Sequence, residues 1–501
     1  MRKIPATMAS QHPDHASKPF WHPKEFISSR SEITELVLTY KELGVDEYKW
    51  DWEGKFVDES VVEHLLSEHF DFFKKAPLGK EKFLTFRLPN PKVETEFRLT
   101  RAFMVILGSS ALAKKVKLHS PPLFEVILPM TESASEMISV QEAFVELTTL
   151  KHPLHKLDND SLKHLEIIPL FEQVDTIIHS DNILRDYLTL SKLQFGKKPK
   201  YLRPYVARSD PALNSGIVPT VLAIKIALSR YLDFEKESGI KLYPIIGSAS
   251  LPFRGGLSPR TAYEFMDLYT GIRTVLLQSA FRYDFKKEDV IKAINLINTQ
   301  LHTRNTVKIT RKDELILRQL IPIFELYYRK TIEGIADNIN YIAKFVPQRR
   351  ERVQHVGLFG YSRGLGRVKL PRAISFTASL YSLGVPPELI GTGRALLAIK
   401  KIGSLSILEK YYPQLISDLT KAGKYLNKNN LKKLSSTSSY WQEIQTDIAD
   451  IERIFKIELR PQAQEEKEHH KLSEKLMHFY TNTKIIPHLI ENSAIMRKSL
   501  G

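Results

Sequence analysis

Short apolar runs of strand length alternate along the chain with longer segments in which apolar residues recur at helical spacing. One such segment has its apolar stripe at Ile33, Leu36, Val37, Tyr40 and Leu43. Strand-like runs at intervals of roughly 30 to 45 residues, separated by helical sequence, are typical of parallel βα units. The predicted strands are residues 83–88, 123–128, 167–171, 201–207, 242–247 and 274–277.

These units predict an α/β fold, specifically a (β/α)8 TIM-type barrel with additional, mostly C-terminal helices. A doubly wound open sheet is the alternative, but no Gly-x-Gly-x-x-Gly follows the first predicted strand. We expect residues 1–501 to form a single elaborated barrel domain. In it, 1–80 form an N-terminal loop and helices, 81–285 hold barrel strands one to six, and 286–501 hold the remaining barrel and a helical layer.

Two of the predicted strands lead into a carboxylate. Glu172 follows the apolar run 167–171, and Asp210 follows the run 201–207. In an α/β barrel the chemistry takes place where the strands end. Two carboxylates suit a hard cation such as Mg²⁺, whose remaining ligands are substrate and water. Alternatively, each acid caps the helix that follows it.

Arginines and glycines follow other predicted strands. Arg87 ends the first strand, where its guanidinium suits a carboxylate or phosphate ligand, or else a structural salt bridge. Arg254 and Gly255 follow the fifth strand, where small residues let backbone N–H groups approach an anion.

Two further segments carry candidate functional residues. A glycine-rich stretch holds Arg363 and Arg367 and is followed by Arg372. Such a loop can close over a phosphate and exclude water, or it can be an exposed flexible loop. His12 precedes Pro13, so its backbone is stiff and extended, which suits holding an imidazole in a fixed place.

Composition narrows the classes of function. The absence of cysteine excludes disulfides and thiolate chemistry, so any metal binds to oxygen or nitrogen ligands. The net charge of +16 suggests nucleic acid, but the basic residues are scattered and no zinc-finger or RRM pattern occurs, so we expect no nucleic-acid partner. The chain start lacks the apolar core of a signal peptide, and no apolar run reaches membrane length, so we expect a cytoplasmic protein without a membrane partner.

Together, an oxygen-ligand metal site, several arginines and a stiffly held histidine predict an enzyme that handles a small phosphorylated carboxylate through a metal-stabilised enolate. Other enolate-forming, metal-dependent barrel lyases fit the same parts. A basic nucleic-acid-binding scaffold is the alternative from a different class.

Six short motifs occur in a fixed order: Gln-His-Pro-Asp-His at 11–15, Leu-Pro-Met-Thr-Glu-Ser at 128–133, Ile-Pro-Leu-Phe-Glu at 168–172, Ala-Arg-Ser-Asp-Pro-Ala-Leu-Asn-Ser-Gly at 207–216, Phe-Arg-Gly-Gly at 253–256 and Leu-Pro-Arg-Ala-Ile at 370–374. With these motifs the chain resembles phosphoenolpyruvate carboxylase of the short, archaeal type. The resemblance implies a homotetramer that requires Mg²⁺ or Mn²⁺. It also implies the irreversible reaction of phosphoenolpyruvate with bicarbonate to give oxaloacetate and phosphate.

The resemblance also implies roles for individual residues. Glu172 and Asp210 match the two metal ligands of the family, and His12 matches its essential histidine. Arg254 and Arg372 are expected to be catalytic together with His12. The expected substrate-binding residues are Arg87, Arg254, Gly255, Arg363, Arg367 and Arg372.

Three positions depart from the longer enzymes of the family. Ser248 stands where those enzymes carry the first arginine of a glycine-rich loop. Leu213 stands where they carry a lysine near the metal, and Arg208 is a candidate substitute for it. Their C-terminal asparagine falls near Lys498. These departures concern phosphate binding and inhibition by aspartate.

Overall fold

The computed structural model describes residues 2–94, 97–118, 120–150, 162–351, 364–365, 368–482 and 487–501. Within these residues, no helix is both long and apolar enough to cross a membrane.

Eight parallel strands close into a barrel, which confirms the predicted fold class. Each strand pairs with the next along the chain, and the last pairs with the first through Thr7 and Val275. The strands are β1 (Thr7–Ser10), β2 (Glu47–Asp51), β3 (Phe83–Arg87), β4 (Glu125–Leu128), β5 (Glu166–Phe171), β6 (Tyr205–Ala207), β7 (Ile245–Gly247) and β8 (Thr274–Leu277).

The expected position of the last two barrel strands is wrong. They are β1 and β2, which lie within residues 1–80, whereas we expected loop and helices there and the remaining barrel after residue 286. The reason lies in the sequence of β2, where Glu47, Lys49 and Asp51 alternate with aromatic residues and are nevertheless buried. A strand with charged side chains inside the barrel does not look like an apolar run. The single-domain organisation of the chain stays a prediction.

Two predicted strands are shorter than expected because a proline interrupts each. The run 201–207 divides at Pro204 into Tyr201–Leu202 and β6, and the run 242–247 divides at Pro244 into Lys241–Leu242 and β7. Proline has no N–H to donate to a strand ladder. The two outer pieces pair with each other in a separate parallel sheet outside the barrel.

The segments between the strands are helical. These helices span Ser31–Lys41, Val61–Glu68, Phe70–Lys75, Arg98–Lys115, Ala134–Thr148, Val174–Ile178, Ser180–Phe195, Ser209–Ser215, Ile217–Ser238 and Ala262–Leu268, with a 3-10 turn at Pro252–Arg254.

The chain after β8 adds the helical layer that the sequence predicts. Its helices span Ser279–Tyr283, Lys287–Gln300, Arg311–Ala343, Ala373–Ser382, Thr392–Lys401, Leu405–Tyr411, Leu415–Gly423, Lys428–Ser435, Ser439–Phe455, Gln464–Thr481 and Pro487–Arg497, with 3-10 turns at Leu301–Thr303 and Pro387–Leu389. Gly364–Leu365 and Val368–Lys369 form a short antiparallel pair.

The longest helix, Arg311–Ala343, supports the mouth of the barrel. Thr310 caps its first turn by accepting a hydrogen bond from the backbone N–H of Asp313. Tyr328 on its buried face donates to the carbonyl of Leu213, at 2.9 Å. Leu213 lies in the short helix after β6, so the long helix fixes the segment that carries Asp210.

The barrel interior is layered along its axis. At the end where the strands begin, the buried Arg203 donates to Glu47 at 2.6 Å and to Glu125 at 2.6 Å. Apolar side chains from most of the strands fill the middle of the barrel: Met8, Ile127, Ile168, Leu170, Tyr205, Ala207, Ile245 and Leu276. The polar cavity described next lies beyond them, where the strands end.

Candidate active site

A polar cavity occupies the end of the barrel at which the strands finish. Among the predicted site residues, those that line it are His12, Arg87, Glu172, Asp210, Arg254 and Arg372. Gly255 does not line it. Arg363 and Arg367 lie outside the described residues. Six side chains that are far apart in sequence are therefore brought to one place, as the predicted barrel requires.

The two predicted metal ligands follow neighbouring strands, β5 and β6. Glu172 accepts a hydrogen bond from the backbone N–H of Met130 at 2.9 Å, so the loop after β4 holds this carboxylate. Met130 itself has a left-handed backbone conformation, with a φ of 48°. Asp210 lies in the first turn of the helix Ser209–Ser215. In the described residues no group of three or more His, Asp or Glu side chains forms a metal cluster. Two carboxylates that line one cavity fit Mg²⁺, which commonly keeps waters and substrate oxygens as its other ligands.

Arg87 is held by two acids beside the cavity. Its guanidinium donates to both oxygens of Asp51, at 2.6 and 2.7 Å, and forms an ion pair with Glu53 at 2.5 Å. Burial alone raises the pKa of Asp51, but Arg87 and Lys49 hold that pKa well below its usual range. The positive charge of Arg87 is therefore largely compensated within the protein, which the sequence did not indicate.

His12 is half-buried and lies two residues after the end of β1. Its Nδ1 lies 2.5 Å from Ser10 Oγ and 3.5 Å from Lys49 Nζ, and Ser279 Oγ donates to its carbonyl. Burial, with Lys49 and Arg87 nearby, places the pKa of His12 well below its ordinary value. The imidazole is therefore neutral at pH 7, as a proton acceptor must be.

Arg254 is oriented by partners on three sides. Its Nε donates to Ser209 Oγ at 3.2 Å, its Nη2 donates to Gln278 Oε1 at 2.7 Å, and its Nη1 donates to the carbonyl of Gly501. Arg254 is 1% exposed and lines the cavity, and its Nη1 also lies 3.8 Å from the carboxylate of the buried Asp14.

Gly255 shapes the turn that carries Arg254. Its φ is 118°, a conformation that side chains other than glycine rarely adopt. A Cβ there would lie 2.1 Å from Ser248 Oγ and 2.9 Å from Arg208 Cγ. The glycine therefore allows the turn to pack tightly against Ser248 and Arg208.

Arg208, the candidate substitute for the lysine that is absent at Leu213, also lines the cavity. It donates to Tyr269 Oη at 3.0 Å and to the carbonyls of Phe253 and Pro252 at 3.0 and 3.3 Å. These contacts hold the turn before Arg254. Leu213 itself is fully buried.

Helix geometry adds a further contribution to the site. Arg372 precedes the helix Ala373–Ser382, and Ala373 and Ile374 in its first turn also line the cavity. The first turn of a helix carries unsatisfied N–H groups and a partial positive charge, which favours an anion.

Sequence reasoning missed several polar residues that line the cavity, among them Lys49, Asp51, Glu53 and Gln278. The signal was the alternation Glu-Tyr-Lys-Trp-Asp at 47–51, which places its charged residues on one face of a strand. Gln278, directly after β8, had no comparable signal.

Comparison with known proteins identifies the family of this chain. The family model of phosphoenolpyruvate carboxylase matches residues 4–501. The chain is similar to the phosphoenolpyruvate carboxylase of Leuconostoc mesenteroides, at 39% identity over 503 residues that cover 100% of this chain and 99% of that protein. It is also similar to the enzymes so named in two archaea. For Metallosphaera sedula the identity is 37%, with 100% of both chains covered, and for Methanothermobacter thermautotrophicus it is 38%, with 85% and 87% covered.

The match along nearly the whole chain, with relatives of similar length, confirms the resemblance that the six motifs indicated. The chain belongs to the phosphoenolpyruvate carboxylase family.

Proposed function

We propose that this protein carboxylates phosphoenolpyruvate with bicarbonate, giving oxaloacetate and phosphate. The observation that supports this most strongly is that one cavity gathers His12, Glu172, Asp210 and two arginines, Arg254 and Arg372, in a chain of this family. Phosphoenolpyruvate carries a phosphate and a carboxylate, and a cavity rich in arginine with a helix N-terminus suits both groups.

Glu172 and Asp210 are the residues that would hold Mg²⁺ or Mn²⁺. Both offer hard oxygen donors, and both line the cavity beside Arg87, whose guanidinium is held by Asp51 and Glu53. The bound cation would act as a Lewis acid that stabilises negative charge on oxygen. This proposal rests on the donor set and its position in the cavity.

The reaction begins when an oxygen of bicarbonate attacks the phosphorus of phosphoenolpyruvate. The bond from phosphorus to the enol oxygen breaks, which yields carboxyphosphate and the enolate of pyruvate. Arg254 and Arg372 stabilise the charge that develops on the phosphoryl oxygens. Since Arg254 is buried and held by three partners, it is preorganised for this task.

His12 then accepts the proton of the carboxyphosphate carboxyl group, which decomposes to CO₂ and phosphate. C3 of the enolate attacks this CO₂ and forms oxaloacetate. For Nε2 to accept a proton, Nδ1 must carry one, and Ser10 Oγ at 2.5 Å is the acceptor for that N–H. Ser10 thus orients the ring, and with its hydroxyl as the acceptor the imidazole holds the tautomer that the step needs.

Water must stay away from the enolate, because protonation would give pyruvate instead. The turn around Arg254 and the segment with Arg363 and Arg367 are the proposed barriers to water. We also propose a homotetramer in the cytoplasm, as the family resemblance implies. Light scattering of the purified protein measures the subunit count directly.

A coupled assay tests the function. Malate dehydrogenase and NADH report oxaloacetate from phosphoenolpyruvate, with and without bicarbonate and Mg²⁺. Oxidation of NADH that needs both additions supports the proposal. Release of phosphate without any dependence on bicarbonate would instead point to another enolate-forming lyase.

A further inference from the structure

Lys49 is a buried cation in the cavity that no step above uses. It lies in the middle of β2, between Ser10 of β1 and Thr85 of β3, and its side chain is 1% exposed. It lines the same cavity as His12 and Arg87. A lysine so deeply buried requires a physical reason, because lysine is almost never fully buried unless it is paired.

The protein compensates this charge poorly. Among the residues that the structure describes, the only carboxylate within 4.0 Å of Lys49 Nζ is Asp51, at 3.7 Å. Asp51 already accepts two hydrogen bonds from Arg87. The other polar neighbour is His12 Nδ1 at 3.5 Å, which cannot accept a hydrogen bond in the tautomer that a base requires. Among the described residues, the ammonium group with its three N–H donors therefore has only these two long contacts, at 3.5 and 3.7 Å.

A second buried lysine of the same chain shows what a structural pair looks like. Lys55 is also 1% exposed, but its Nζ lies 2.6 Å from Glu32 Oε1. Lys55 does not line the cavity. The contrast indicates that Lys49 is not buried in order to form an internal ion pair, since the same fold places a carboxylate directly against Lys55.

The electrostatic surroundings of Lys49 favour the binding of an anion beside it. Burial, followed by the charge of Arg87, lowers the pKa of Lys49 to about 7, against the opposing effect of Asp51, Glu53 and Glu172. An anion bound beside Lys49 would restore its charged form.

We propose that Lys49 is a further catalytic residue, whose ammonium group binds the carboxyl oxygens of bicarbonate, and of the carboxyphosphate formed from it, beside His12. This inference rests on the proposed function. The position favours the carboxyl donor over phosphoenolpyruvate because His12 acts on the carboxyl group of that donor. The phosphoryl group is assigned to Arg254 and Arg372.

The test compares Lys49→Met with the matched control Lys55→Met in steady-state kinetics. Lys49→Met should raise the KM for bicarbonate at least tenfold, because it removes a charge-assisted hydrogen bond to the bound anion. The KM for phosphoenolpyruvate should change less than about threefold, since its groups are bound elsewhere. Lys55→Met should leave the KM for bicarbonate unchanged.

Thermal unfolding supplies a readout that separates binding from structure. Lys49→Met should melt at or above the temperature of the unaltered protein, because it removes a poorly paired buried charge. Lys55→Met should melt lower, because it leaves Glu32 without its lysine partner. Lys49→Gln is the second variant if Lys49→Met does not fold, and failure of both to fold would overturn the proposal in favour of a structural role.

Two other results would also overturn it. One is an unchanged KM for bicarbonate in a folded Lys49→Met, and the other is an increase confined to the KM for phosphoenolpyruvate. An unaltered protein that forms no oxaloacetate at all would refute the proposed function instead, so the two failures are distinguishable.

Discussion

Replacement of Gly255 by alanine should disturb the site at one defined point, the turn that carries Arg254. Its φ of 118° costs a non-glycine residue about 1 to 3 kcal/mol. The added Cβ would also lie 2.1 Å from Ser248 Oγ and 2.9 Å from Arg208 Cγ, and overpacking of this kind costs about 1 to 3 kcal/mol more. We therefore expect a loss of about 2 to 6 kcal/mol, relieved in part by local movement of the turn.

That movement should reach the chemistry, because Arg254 is the adjacent residue. The turn is closed by hydrogen bonds from Ala249 N–H to the carbonyl of Arg254 and from Gly256 N–H to the carbonyl of Leu251, at 2.9 and 3.0 Å. A displacement of about 1 Å at a positioning group can cost roughly a hundredfold in rate. We expect kcat/KM for phosphoenolpyruvate to fall by about one to two orders of magnitude.

Gly44→Ala is the matched control. Gly44 has a φ of 75°, and a Cβ there would meet nothing within 4 Å, so only the backbone cost of about 1 to 2 kcal/mol applies. The measurements are thermal or denaturant unfolding and steady-state kinetics of both variants. The double variant Ser248→Gly/Gly255→Ala should recover part of the loss, because it removes the nearest clash. Equal destabilisation by Gly255→Ala and Gly44→Ala, with unchanged kinetics, would refute this reasoning.

Four further changes follow from the same structure. His12→Asn should still cleave phosphoenolpyruvate in the presence of bicarbonate but release pyruvate; unchanged formation of oxaloacetate in a coupled assay would remove His12 from its role. Asp210→Asn should raise the Mg²⁺ concentration for half-maximal activity at least about tenfold, and an unaltered metal titration would move the metal site elsewhere. Arg203→Met should cost about 3 to 5 kcal/mol in denaturant unfolding, because it leaves the buried Glu47 without its arginine partner and removes one of the two arginines paired with Glu125; a loss below 1 kcal/mol would contradict this. Burial raises the pKa of Asp284 to about 7, so its contribution to stability is present below its ordinary value and is lost as pH rises through 7. Relative to the unaltered protein, Asp284→Asn should therefore have a more favourable free energy of unfolding at pH 8 than at pH 5. Identical pH profiles of unfolding for the two proteins would contradict this.

The fold was largely predictable because most barrel strands are short apolar runs with polar residues at their ends. The exceptions have physical causes. In β2 the charged residues point into the barrel. A prediction based on apolar runs therefore misses this strand. Pro204 and Pro244 end the ladder inside runs that look continuous by hydrophobicity.

The candidate site was predictable where a residue stands at a strand end and matches a motif, as Glu172 and Asp210 do. It was not predictable which charges are already compensated. Arg87 was expected to bind substrate, yet in the structure it is paired with Asp51 and Glu53. Conversely, no motif and no strand end marks Lys49 in the sequence. In the structure it lies beside His12, and its positive charge is only weakly compensated. Pairing depends on which strands become neighbours, and this information is not present in any local stretch of sequence.

The most direct measurement of the central claim follows the oxygen atoms of bicarbonate. Purified protein is incubated briefly with phosphoenolpyruvate, Mg²⁺ and bicarbonate that carries ¹⁸O, and the phosphate and oxaloacetate are analysed by mass spectrometry. Attack of bicarbonate on phosphorus predicts that one labelled oxygen appears in each phosphate and that the new carboxyl group of oxaloacetate carries the others. Phosphate without label, or release of phosphate without any oxaloacetate, would contradict the account.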